Sequence, residues 1–220
     1  MASATGTYWQ IAIDNQTWTL PEDLLLVDSA FFRDRARKIS RKDGEGIRLV
    51  YFDLSNFDPE IFEMFVEFVK TGKYTSTDDL HDEGRIRNSV RAWVLGDFLK
   101  AANFRNCAIK EFHEIYFSDL KAPDKVVPVV TPALIDYIMS RTKPDTMLQR
   151  LLYRVCAFYW EDTKVVQVDE EKWFDLFDKH TRFSNKLLKG LNDVVQARAN
   201  VGGFSQYLEV EESESDEEKK

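Results

Sequence analysis

The chain has 220 residues, of which 44% are apolar and 13% aromatic, and the sixteen Phe and five Trp exclude a wholly disordered polymer. No stretch approaches the roughly 20 apolar residues of a membrane helix, so membrane insertion is not expected. The net charge of −8 is concentrated at one end: Glu209–Lys220 holds seven acids and two lysines, leaving only −3 on the rest, which excludes nucleic-acid binding by a concentrated basic fold.

Met1 to Thr7 is small and polar, without the basic and apolar runs of a secretory signal. Tyr8 to Ile13 then reads as a strand. Asp14-Asn15 marks a turn, and Gln16 to Leu20 is the returning strand. Pro21, Glu22 and Asp23 suit the start of a short helix through Leu24, Leu25, Leu26 and Val27. Ser29 caps another, with Phe31 and Phe32 inward and Arg33, Arg35 and Arg37 outward. After a polar loop over 38–46, Ile47 to Leu54 predicts a strand covered on both faces toward its end.

Asp58-Pro59 opens a helix with Ile61, Phe62, Phe65, Phe68 and Val69 on one side, and Gly72 ends it. Tyr74 to Asn88 reads as loop. Val90, Trp93, Val94, Phe98, Ala101 and Ala102 recur at helical spacing, Asn103 is expected to break that helix, and Phe104 to Ile115 continues in another. Lys121 to Val130, with two prolines, reads as a linker. Beyond it Thr131-Pro132, Asp145, Asp169 and Ser184 are expected to open four helices. The end, from Val201, reads as a disordered acidic tail. The fold class is therefore α+β, followed by an all-helical extension.

The residues add a resemblance to this order. Trp18-x-Leu20-Pro21-x-x-Leu24-Leu25-x-x-x-Ser29-x-Phe31-Phe32 resembles the opening signature of the BTB/POZ family. Ile47 to Asp53 resembles its third strand, and Phe57-x-Pro59-x-x-Phe62 through Thr71-Gly72-x-Tyr74 its next helix. Trp93 to Leu99, with Phe104 and Cys107-Ala108, is similar to its paired helices. The resemblance covers 8–118. The remainder, with a helical extension over 131–199 and the tail over 201–220, is similar to small fungal members. Animal members usually carry His where Pro21 stands, and an Asp near the start of the first strand, where this chain has Tyr8 and Trp9. The charged pocket of transcription-factor members is accordingly not expected.

The resemblance implies a non-enzymatic scaffold or homo-oligomerisation module, placed in the cytoplasm, the nucleus or both, with protein partners. Its relatives often dimerise through the hairpin and first helix, which puts Tyr8, Trp9, Leu24 and Val27 on a self-association surface. An alternative is a substrate adaptor for a cullin-type ubiquitin ligase. Cullin-binding relatives use an apolar-x-Glu triplet after the Gly72-like turn. The nearest match here is Leu80-His81-Asp82, giving a partner loop of Leu80, Asp82 and Glu83. Composition alone supplies on the order of 16 such triplets by chance.

Motifs of chemistry are not seen. His81, His113 and His180 are far apart and without ligand-spaced neighbours, so no metal is expected. Gly44-x-Gly46 is a turn rather than a phosphate loop, and no Gly-x-Ser-x-Gly elbow occurs. No cofactor and no catalysis are expected. Cys107 and Cys156 sit in apolar helical patterns, as buried thiols of a reducing compartment would. The bases of Arg33–Lys42 read either as a solvated helix end and loop or as a nuclear-import or anion-binding patch. Ser213 and Ser215 each precede an acid by three residues, Asp216 and Glu218, which fits either an acid-directed kinase or a plain solubilising tail.

Overall fold

The computed structural model describes residues 6–38, 47–76, 86–117, 128–167 and 170–192. It is a mixed α+β protein, with one small sheet and helices around it. Strands β1 (Gly6–Ile13) and β2 (Gln16–Pro21) form the expected hairpin, with Asp14 in the left-handed region at its turn (φ 49°). Strand β3 (Ile47–Asp53) pairs parallel with β1, so the sheet order is β2-β1-β3.

Alternation decides which sheet face is covered. Trp9, Ile11 and Ile13 of β1 and Leu20 of β2 are buried, and Val50 and Phe52 of β3 pack on the same side. Leu49 and Tyr51 point the other way and are 61% and 65% exposed. The expectation that β3 is covered on both faces is therefore corrected. Its apolar run reflects one packed face and one open face.

Helices α1 (Glu22–Leu26) and α2 (Ala30–Lys38) follow β2. Ser29 caps α2 as expected, its Oγ accepting from the amide of Phe32 at 3.3 Å. Asp58 caps α3 (Pro59–Thr71), accepting from the amide of Glu60, and Gly72 closes it at φ 69°. Helix α4 (Asn88–Phe98) does not run on to Asn103. The chain turns at Lys100 (φ 50°), and Asn103 lies inside α5 (Ala102–Phe117). A tertiary contact explains the break. The carbonyls just after α4 accept from the start of α2, with Ala30 N–H on Lys100 O (3.3 Å), Phe31 N–H on Leu99 O (3.2 Å) and the Ser29 hydroxyl on Leu99 O (2.6 Å). Helices α4 and α5 approach closely at Gly96, where a Cβ would stand 2.6 Å from Arg105 Cγ and 3.2 Å from Phe104 Cδ1.

The second half contains α6 (Pro132–Arg141), α7 (Met147–Tyr159), α8 (Glu170–Lys179) and α9 (Thr181–Asn192). Thr131 caps α6 as expected, but two starts differ. Thr146, not Asp145, caps α7 by accepting from the amide of Gln149. Asp145 instead takes a left-handed turn at φ 65°, and its carboxylate pairs with Arg182 and Lys186 of α9. Helix α9 begins at Thr181, so Ser184 sits in its first turn and donates to Thr181 O rather than opening the helix. Asp169 lies outside the described residues.

The two halves share buried surface. The Tyr159 hydroxyl of α7 donates to the Tyr116 carbonyl of α5 at 2.6 Å, and Phe117 packs against Phe158 and Tyr159. Arg141 of α6 donates to Asn56 O at 3.1 Å. The end of the expected linker is also pinned: Val130 bridges Val166, with the Gln167 amide donating to Val130 O at 3.0 Å.

Candidate interaction surface

The outer sheet face is built by strand register. Tyr8 of β1 lies between Pro21 of β2 and Leu49 of β3, and Gln10 lies between Thr19 and Tyr51. Tyr8 is half-buried; Leu49 and Tyr51 are mostly in water. Isolated exposed apolar side chains are ordinary on a protein surface, but two on one strand beside a tyrosine form a contiguous apolar strip.

The four residues expected to form a self-association surface have different fates. Val27 is 70% exposed, whereas Tyr8 and Leu24 are half-buried. Trp9 is corrected: it is 1% exposed, with its ring edge-on to Phe32 at 5.2 Å. Its indole N–H donates to Glu22 at 3.1 Å, which gives the buried ring's polar atom a partner. Strand alternation from Ile11 and Ile13 places Trp9 with the core. Leu49 and Tyr51 were missed because β3 read as a buried strand.

An aromatic ridge runs beside β3. Phe31 stands 5.1 Å from both Phe52 and Phe98, and Phe57 stands 4.9 Å from Phe98. The Arg35 guanidinium lies over Phe31 and Phe52, at 5.3 and 5.2 Å. Phe98 is 42% exposed. The described bases of the 33–42 run are partly engaged within the fold. Arg33 donates to Leu26 O and Val27 O, closing α1, and Arg35 is stacked. Asp34 pairs with Lys100 at 2.9 Å, and the hydrogen bond and charge of that lysine hold its carboxyl below the ordinary carboxylate range.

Other polar sites serve packing. Asp58 pairs with Arg91 across α3 and α4, and Arg91 also donates to Asn88. Burial pushes the Tyr116 phenol and the Cys156 thiol far up, keeping both neutral. Cys107 and Cys156 are free thiols. Among the described residues, no group of three or more His, Cys, Asp or Glu is arranged to hold a metal ion, and no helix is long and apolar enough to cross a membrane. Leu80, Asp82, Glu83, Ser213 and Ser215 lie outside the described residues.

No family model matches the chain, and no curated protein matches it.

Proposed function

We propose that the chain is a non-enzymatic scaffold module of BTB/POZ-like build that assembles with a second copy through the outer face of its sheet. The observation that carries this reading is the strip of Leu49 and Tyr51 beside Tyr8, a large apolar surface without an intramolecular partner element among the described residues. The order of hairpin, two short helices, strand, helix and helix pair supports the BTB/POZ-like part. Self-association needs an apolar centre with a more polar surround, and Thr17, Thr19 and Gln10 supply that surround on β2 and β1.

Sedimentation over a wide concentration range tests the reading. The native chain is expected to gain mass with concentration, and Leu49→Glu combined with Tyr51→Glu to stay monomeric with its helical signal unchanged. A native chain that remains monomeric throughout would overturn it.

A further inference from the structure

The aromatic ridge carries a cation that no described carboxylate answers. Four rings from four segments stand in a row: Phe52 of β3, Phe31 of α2, Phe98 at the end of α4 and Phe57 before α3, each 4.9–5.1 Å from the next. Phe98 is 42% exposed, and the other three are half-buried. Arg35 is exposed and lies over two of the rings. Its guanidinium makes neither a hydrogen bond nor an ion pair with any described residue. The acids beside these segments in the sequence are engaged elsewhere: Asp34 with Lys100, Asp53 with Ser55, Asp58 with Arg91 and Asp97 with Arg105.

We propose that the ridge is a docking surface for an acidic segment of a partner protein. A carboxylate of that segment meets Arg35, and a neighbouring apolar side chain covers Phe98 and Phe57. A guanidinium carries all its N–H donors in its plane, so contact with rings leaves its edges open to a bidentate carboxylate. The rings of Phe31 and Phe52 also hold the side chain in place, so less freedom is lost when it pairs. Aromatic residues and arginine are the usual anchors of protein interfaces.

Spacing favours a peptide segment over a free anion. Phe31 lies between the two anchor points, with the Arg35 guanidinium 5.3 Å from its ring centre on one side and the Phe98 ring 5.1 Å from it. Residues i and i+2 of an extended segment share a face about 7 Å apart. An apolar residue two positions from an acid therefore reaches both, whereas a free anion would leave Phe98 in water. The surface is independent of self-association through the sheet, because Phe52 points to the opposite side from Leu49 and Tyr51.

Peptide selection on the intact chain tests this. A library of random short linear peptides is panned on the immobilised native protein. Enriched sequences are expected to share an Asp or Glu two positions from a large apolar residue. A labelled synthetic copy of the enriched sequence then serves as the probe. Its Kd is expected to rise at least about tenfold with Arg35→Gln and with Phe98→Ser. Arg35→Lys, which keeps the charge without the planar fork, is expected to fall between the native chain and Arg35→Gln. Binding by Arg35→Glu should return when the peptide's acid is replaced by Lys, which a loss of folding could not produce. Absence of any enriched sequence, a consensus without an acid, or native affinity retained by Arg35→Gln would overturn the proposal.

Discussion

Trp9 is buried in the core, whereas Val27 stands mostly in water. The Trp9 ring fills space against Phe32, and its N–H has Glu22. Trp9→Ala therefore empties a large part of the core and is expected to cost about 3–5 kcal/mol. Val27 touches little and is 70% exposed, so Val27→Ala is expected within about 0.5 kcal/mol of the native chain. Urea unfolding of both variants checks this. A small loss at Trp9, comparable with that at Val27, would mean that the ring is not packed as described.

The helices of the second half are joined by polar pairs. Asp136 of α6 accepts from Lys179 at the end of α8 and lies 2.7 Å from His180, and these hydrogen bonds hold its carboxyl below the ordinary carboxylate range. A carboxylate lowered by folding contributes stability that is present above its unfolded pKa of about 4. That contribution fades as pH falls through the lower folded value. Asp136→Asn is expected to be less stable than the native chain at neutral pH, with the difference vanishing once acidification has passed through that lowered value. Because the side chain is 40% exposed, the neutral-pH difference should be modest. A difference that stayed constant with pH would assign it to packing instead. The sequence held the capping residues of α2, α3 and α6 in plain view, since a cap acts within one turn. It did not hold the ion pairs, whose partners lie 43 and 44 residues apart.

At the scale of the molecule, the extension is packed onto the first half. Tyr116 and Phe117 of α5 meet Phe158 and Tyr159 of α7, and the Tyr159 hydroxyl is bonded to a buried carbonyl. Arg141 clasps the segment before α3 through Asn56. Separating the halves would expose these rings to water, at about 25 cal/mol for each Å² of apolar surface. Both halves are thus expected to unfold together. Hydrogen exchange in increasing urea should show α3 and α7 losing protection at one midpoint, and two separated midpoints would show independent units.

The sequence by itself determined what depends on near neighbours: the hairpin, the caps, the left-handed stop at Gly72, and the apolar faces of α3, α5 and α7. Each is set within a few residues by alternation, helical period or a single side chain. The tertiary structure alone decided what depends on distant pairing. It ended α4 at Phe98, because the amides of Ala30 and Phe31 take the carbonyls of Lys100 and Leu99 just beyond it. It turned Asp145 from a cap into an ion-pair partner of α9. It also left Leu49 and Tyr51 in water, because among the described residues no element covers the outer face of the sheet, and a strand's apolar run does not record which of its faces another element covers.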